Sequence, residues 1–103
     1  MINKGHEMET GKLLEAKRDD ILRVADKHGA RNVRVFGSVA RDEAGPASDV
    51  DFLVKMDQGR SLIDLSTLVA DLQDLLGRKV DVVSEDGLYW LLRRRILKEA
   101  KPL

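Results

Sequence analysis

Two aspartates one residue apart, Asp49 and Asp51, are the side chains of this sequence with the clearest capacity for chemistry. They open an apolar run over residues 52–54 that predicts a β-strand. Because successive side chains of a strand point to opposite faces, both carboxylates would project from the same face. Such a pair repels unless a cation lies between its members, and Mg²⁺ accepts oxygen ligands of this kind. Taken alone, the pattern fits a solvated strand start better than a metal site.

A Gly-Ser turn upstream adds a second signal. Gly37 and Ser38 end a predicted strand over residues 33–36, and a helix-like segment over residues 39–43 follows directly. A strand that turns into a helix in this way offers free backbone N–H groups and a hydroxyl to an anion. Gly37 allows close approach of the backbone to a phosphate, and Arg41 could clamp a phosphate oxygen. Together with the two aspartates, these residues favour a phosphate-binding site.

The combined motif resembles the minimal nucleotidyltransferase (MNT) family of the polymerase-β-like nucleotidyltransferase superfamily. It consists of Phe-Gly-Ser-Val-Ala-Arg at residues 36–41 and Asp-Val-Asp at residues 49–51, with ten residues between Ser38 and Asp49. The resemblance continues through residues 59–65, residues 75–83 and the Arg-Ile-Leu-Lys-Glu-Ala ending, so it covers almost all of the chain from about residue 33 onward. One departure is Asp42, because members often have glycine there, and this aspartate adds a negative charge near the expected phosphate site.

Composition sets the outer bounds of function. A chain of 103 residues predicts one domain without a second lobe to grip a large substrate. Eighteen basic residues balance eighteen acidic ones, so no overall positive field favours direct binding of nucleic acid. The absence of cysteine excludes disulfides, and neither a bilayer-length apolar run nor a secretion signal is present. We therefore expect a cytoplasmic protein with no membrane partner.

Hydrophobic periodicity predicts three helices around this motif. Residues 1–11 lack periodicity and predict a flexible N-terminus, which leaves residues 12–103 as the nucleotidyltransferase domain. An amphipathic helix is expected over residues 12–28, with another over residues 88–99. The clearest helix covers residues 61–76: Ser61 and Asp64 have the spacing of a capping box, and Gly77 ends it. Its apolar stripe consists of Leu62, Leu65, Leu68, Val69, Leu72, Leu75 and Leu76.

A third strand is predicted over residues 79–83 and carries Asp81. Since a helix connects it to the second strand, the two should run parallel, whereas the first strand should run antiparallel to the second. The expected architecture is α/β (α+β), a small mixed three-stranded sheet flanked by helices in a nucleotidyltransferase fold. From the residues alone, Asp81 fits an exposed edge charge as well as a functional acid. The resemblance implies the latter, because the superfamily has a third carboxylate on the following strand.

The resemblance also implies a mechanism for nucleotide transfer. Asp49 and Asp51 would hold two Mg²⁺ ions roughly 3.5–4 Å apart, with ATP as the substrate. Asp81 would complete the second metal site and accept the proton of the attacking hydroxyl, directly or through water. Gly37, Ser38 and Arg41 would bind the phosphates so that pyrophosphate leaves in line.

The expected acceptor is a partner protein. Small proteins that resemble this one are antitoxins paired with a HEPN-domain ribonuclease toxin, to whose tyrosine they transfer AMP. Two alternatives stay open: an antitoxin that blocks its toxin sterically with a weak or unused transferase site, and a transferase for a small-molecule hydroxyl. Asp42 is the feature that favours the steric alternative.

Overall fold

The computed structural model describes residues 9–45, 48–88 and 90–103. Residues 1–8 of the predicted flexible N-terminus lie outside the described residues. The folded part begins earlier than residue 12, because Thr10 and Gly11 already belong to the first helix. Thr10 is fully buried, and its hydroxyl donates to the Gly45 carbonyl at 2.6 Å. This contact ties the start of the first helix to the loop before the Asp-Val-Asp motif.

The described residues form four α-helices and four strands. The helices are α1 (Thr10–Ala16), α2 (Arg18–Lys27), α3 (Leu62–Leu76) and α4 (Trp90–Glu99). The strands are β1 (Ala30–Phe36), β2 (Val50–Met56), β3 (Val80–Ser84) and the short β4 (Lys101–Pro102), and a 3₁₀ turn, Glu85–Gly87, follows β3. This order confirms the predicted mixed architecture of a sheet flanked by helices.

The sheet has the order β3-β2-β1-β4. As predicted, β1 and β2 are antiparallel, whereas β2 and β3 are parallel and joined by α3. The prediction of three strands is wrong by one, because β4 pairs antiparallel with the outer edge of β1. Residues 101–102 are Lys-Pro and have no apolar alternation, so the pairing comes from the open edge of β1 and not from a local strand preference. The pairing of β4 places the preceding helix α4 beside the end of β1.

The predicted helix over residues 12–28 is interrupted at Lys17, whose φ of −103° and ψ of 9° depart from helical values. The hydrogen-bond pattern nevertheless continues across the break: the Lys17 amide donates to Leu13 and the Ile21 amide to Lys17. Leu14 before the break and Ile21 after it are both buried in the core. The interruption is therefore a local distortion between two helices that share one packed face.

Helix α3 confirms the predicted capping box. The Ser61 side chain accepts from the Ile63 amide, the Asp64 carboxylate accepts from the Ser61 amide, and Gly77 ends the helix with a left-handed φ of 64°. Leu68, Leu72 and Leu76 are buried, as the stripe predicts. Leu62 does not join them and is 80% exposed. The first turn of α3 lines an open cavity at the end of β2 instead of the core.

The core lies between one face of the sheet and α1, α2 and α3. It includes the alternate β2 residues Val50, Phe52 and Val54, which are at most 1% exposed. The intervening residues Asp51 and Leu53 consequently face away from these helices. Within the described residues, the helices are too short or too polar to cross a membrane. This alternation directs Asp51 to the face on which the predicted site must lie.

Candidate active site

The end of β1 approaches the start of β2 very closely. Phe36 pairs with Asp51 across the two strands, and the next residue, Gly37, turns the chain with a φ of +72°. A Cβ atom on Gly37 would fall well inside contact distance of the Asp51 Oδ2 atom. Glycine is therefore required here for two reasons, the left-handed backbone and the proximity of the Asp51 carboxylate. The two halves of the predicted motif are in direct contact.

The segment after Gly37 is a series of hydrogen-bonded turns, so the predicted helix over residues 39–43 is wrong. The Arg41 amide donates to the Gly37 carbonyl at 3.1 Å, and the Glu43 amide donates to the Ser38 carbonyl at 2.8 Å. Asp42 then adopts a φ of +58°, which no α-helix can continue through. Ser38 is half-buried in this turn. Any phosphate contact at Gly37 and Ser38 consequently depends on individual amides and not on a helix dipole.

The conformation of Asp42 explains why glycine suits this position. Its left-handed backbone costs little for glycine and more for other residues, among which aspartate and asparagine tolerate it best. The Asp42 side chain is exposed. The departure from glycine is thus primarily a matter of backbone conformation.

Asp51 and Asp81 are paired residues of adjacent parallel strands. Asp51 is half-buried, whereas Asp81 on β3 and Asp49, just before β2, are exposed. Burial raises the pKa of Asp51, and the negative charges of Asp81, Asp49 and Glu99 raise it further, while Arg41 opposes them. The structure therefore brings the three sequence-predicted carboxylates together at one end of the sheet. Such a concentration of negative charge attracts cations.

The chemistry of these donors suits Mg²⁺, although their arrangement is open. All three are carboxylates, the hard oxygen ligands that Mg²⁺ prefers, and a cation would relieve the repulsion that raises the pKa of Asp51. Over residues 9–45, 48–88 and 90–103, however, no three acidic, histidine or cysteine side chains already surround a common metal position. These residues are of the kind that binds Mg²⁺, but their side chains would have to rotate to complete the ligand shell of the ion.

An additional acid, Glu99, occupies the turn that the motif predicted for phosphate. Its Oε1 atom accepts from the Gly37 amide at 2.6 Å and from Arg41 Nη1 at 2.8 Å. Arg41 also donates from Nε to Glu43 at 2.8 Å. The sequence does not reveal this contact, because Glu99 lies 62 residues after Gly37 and belongs only to the family-like ending. One signal was present: an acid at the last residue of a helix opposes the helix dipole.

Comparison with known proteins places these residues in a family context. A model of the nucleotidyltransferase domain family matches residues 18–103. A candidate protein adenylyltransferase of Methanocaldococcus jannaschii is 43% identical over 86 residues, which span 84% of this chain and 91% of that protein. The protein adenylyltransferase MntA of Thermococcus cleftensis is 38% identical over 74 residues, spanning 72% of this chain and 75% of the relative. The family match includes the Gly37-Ser38 turn and all three carboxylates, Asp49, Asp51 and Asp81.

Solved structures agree with this fold. A candidate minimal nucleotidyltransferase is 49% identical, with a TM-score of 0.81 over 90% of this chain and 95% of that one. The structure of a tri-AMPylated Shewanella oneidensis HEPN toxin in complex with an MNT antitoxin gives a TM-score of 0.67 at 18% identity, covering 85% of this chain and 69% of that chain. At that identity the second match concerns the fold alone.

Proposed function

The chain belongs to the nucleotidyltransferase domain family, and on this premise we propose that it is a Mg²⁺-dependent protein adenylyltransferase and antitoxin. It would transfer AMP from ATP to a tyrosine hydroxyl of a HEPN-domain ribonuclease toxin. The observation that carries the proposal is the clustering of Asp49, Asp51 and Asp81 beside the Gly37-Ser38 turn, where the Asp51 carboxylate meets the glycine. Phosphate binding and cation binding would thus share one site.

The transfer step requires a nucleophile, a proton acceptor and a held leaving group. The tyrosine oxygen attacks the α-phosphorus of ATP, the bond from this phosphorus to the α–β bridging oxygen breaks, and pyrophosphate leaves with the electron pair. The exposed Asp81 carboxylate accepts the hydroxyl proton, directly or through water. Gly37, Ser38 and Arg41 hold the β- and γ-phosphates. Asp49, Asp51 and Asp81 would hold Mg²⁺, and the ion would supply positive charge that offsets the triphosphate.

A protein acceptor suits the shape and charge of this chain. Equal numbers of basic and acidic residues provide no general attraction for nucleic acid. The site lies at an open sheet end, with Asp49 and Asp81 exposed, so a partner surface can deliver its own hydroxyl. The named relatives are protein adenylyltransferases, and one structure of the same fold comes from a complex with an AMPylated HEPN toxin. These similarities support a HEPN toxin as the acceptor.

The intact mass of the partner tests the proposal. The protein encoded by the neighbouring gene is incubated with this chain, ATP and Mg²⁺, and we expect its mass to increase by one or more AMP groups. The double variant Asp49→Asn/Asp51→Asn should give no increase. Asp74→Asn, which removes an exposed aspartate of α3, is the matched control and should modify the partner like the unaltered chain. Equal modification by the double variant would disprove the assignment of Asp49 and Asp51.

The steric antitoxin is the second candidate, and one observation favours it. The Gly37 amide is already hydrogen-bonded to Glu99, so the phosphate position is not free. A partner that is bound and inhibited by this chain, yet has unchanged mass after incubation with ATP and Mg²⁺, would identify this function. The Asp49→Asn/Asp51→Asn variant would then inhibit the toxin as well as the unaltered chain does. Loss of inhibition in that variant would instead support catalysis.

A further inference from the structure

Glu99 and a nucleotide phosphate would compete for the same donors. The Gly37 amide has one hydrogen, and Glu99 Oε1 accepts it at 2.6 Å. The same oxygen accepts from Arg41 Nη1 at 2.8 Å. The Arg41 guanidinium is the cationic group that we expect to hold a phosphate. A carboxylate oxygen and a phosphate oxygen are similar acceptors, and both prefer a backbone amide beside a guanidinium. The two anions cannot use the Gly37 N–H at the same time.

The surroundings of Glu99 are otherwise unfavourable for a negative charge. It is the last residue of α4, where the helix dipole is negative. Its side chain is only 20% exposed, and its charge acts on Asp51, which Asp49 and Asp81 also affect. The Gly37 amide and Arg41 are the groups that compensate this placement. Glu99 is thus held among other acids by two donors.

The position of α4 allows such an exchange without unfolding. The outer part of this helix is exposed, including Leu91 at 57% and Leu92 at 48%. Beyond Glu99 the backbone is fixed separately, because β4 pairs with β1 and the Leu103 amide donates to the Val33 carbonyl at 3.2 Å. The glutamate side chain has three rotatable bonds and can turn away while this strand pairing persists.

We propose that Glu99 is an internal anion that occupies the place of a nucleotide phosphate, so that ATP binds by displacing its carboxylate from Gly37 and Arg41. This inference rests on the proposed function and adds a residue that sets nucleotide affinity. Glu99 lowers the affinity for ATP in the resting protein and keeps the Gly37 turn ordered until a triphosphate replaces it. A residue that merely supported the site would have the opposite effect on affinity.

Calorimetric titration with ATP in the presence of Mg²⁺ tests the competition. Glu99→Gln removes the charge but keeps an oxygen acceptor and the side-chain shape, whereas Glu99→Ala removes both. We expect ATP to bind at least about fivefold more tightly to Glu99→Gln, and more tightly still to Glu99→Ala. Adenosine, which has no phosphates, should bind all three proteins equally. Glu43→Gln is the matched control, because Glu43 pairs with Arg41 without contacting Gly37, and its ATP affinity should stay near that of the unaltered chain.

The outcomes separate this inference from the function on which it rests. If the unaltered chain binds ATP and both Glu99 variants bind it equally or more weakly, Glu99 positions the site and the competition is disproved. An equal gain for adenosine would also disprove it, since the effect would then not concern phosphate. If no protein in the series binds ATP, the proposed nucleotide transfer fails, and the inference fails with it. Thermal unfolding of Glu99→Gln verifies that the compared proteins are folded.

Discussion

Single residues connect backbone conformation to chemistry in this site. Gly37 has a φ of +72° and leaves the space that the Asp51 carboxylate fills. Asp42, five residues later, adopts a φ of +58° without being glycine. We therefore expect that Gly37 cannot be replaced, whereas Asp42 can be replaced by glycine.

Gly37→Ala should destabilise the protein and abolish transfer. A non-glycine residue in the left-handed region costs roughly 1–2 kcal/mol, and the new methyl group would also displace Asp51. Urea unfolding would measure the stability loss, and the mass assay would measure transfer. Gly45→Ala is the matched control: its Cβ would meet no atom of the described residues within 4 Å, and its φ is not positive. Normal activity in Gly37→Ala would contradict the close contact with Asp51.

Asp42→Gly should leave transfer intact and stabilise the fold slightly. Relief of the left-handed strain contributes about 1 kcal/mol, which the greater flexibility of glycine in the unfolded chain partly offsets. Glu43→Gly, at the adjacent exposed residue without a positive φ, should lower stability instead. Unfolding midpoints of the two variants provide the comparison. A loss of stability in Asp42→Gly would mean that the aspartate side chain itself supports the turn.

At the scale of elements, the sequence predicts those structural features that nearby residues determine, and it does not predict those that depend on tertiary contacts. The capping box at Ser61 and Asp64, the left-handed Gly77 and the parallel pairing of β2 with β3 all follow from residues close in sequence or from the helix connection. Strand β4 forms only because β1 offers an open edge, and Glu99 reaches Gly37 only after α4 and β4 are in place. The proximity of Asp49 and Asp81 to Asp51 was predictable from the sequence, whereas the contact of Glu99 with Gly37 required the tertiary structure.

The capping box of α3 should make stability sensitive to acid. The hydrogen bond from the Ser61 amide lowers the pKa of Asp64, with Arg60 and the Ser61 hydroxyl assisting. A carboxyl group with a lower pKa in the folded state stabilises the fold above its unfolded pKa of roughly 3.9, and this contribution disappears as pH falls through the folded value. Asp64→Asn should therefore be less stable at pH 7 and lose less stability on acidification.

Urea unfolding at pH 7 and in acid measures this difference. Asp74→Asn, on an exposed part of the same helix, is the control and should respond to acid as the unaltered chain does. Ser61→Ala, which removes the hydroxyl that accepts from the Ile63 amide, should cost about 1 kcal/mol at pH 7. Part of this cost should disappear in acid, because the same hydroxyl stabilises the ionised Asp64 carboxylate. An identical acid response in Asp64→Asn and the unaltered chain would show that the capping carboxylate is not responsible.

At the scale of the whole molecule, basic and acidic residues are equal in number but unevenly distributed. The chain has 18 basic and 18 acidic residues, yet the charges of Asp49, Asp81 and Glu99 all act on Asp51 at a single end of the sheet, with Arg41 as the opposing charge. Maintaining such a cluster opposes folding, because like charges are held close together. The acidic cluster therefore lowers the stability of the folded protein, while its negative charge attracts cations.

Asp51→Asn should accordingly raise stability while it abolishes transfer. Burial and neighbouring acids raise the pKa of Asp51, so its ionised form destabilises the folded protein at neutral pH, and a neutral amide of similar shape removes this effect. We expect the unfolding temperature to increase by a few degrees at pH 7, with a smaller difference in acid, where Asp51 is itself neutral. Lys55→Gln, an exposed change on the same strand, is the control for mutation outside the cluster.

Added Mg²⁺ with ATP should stabilise the unaltered chain and not Asp51→Asn, since a ligand stabilises only the form that binds it. A variant that is both less stable and still responsive to Mg²⁺ and ATP would show that the acidic cluster is not the cation site.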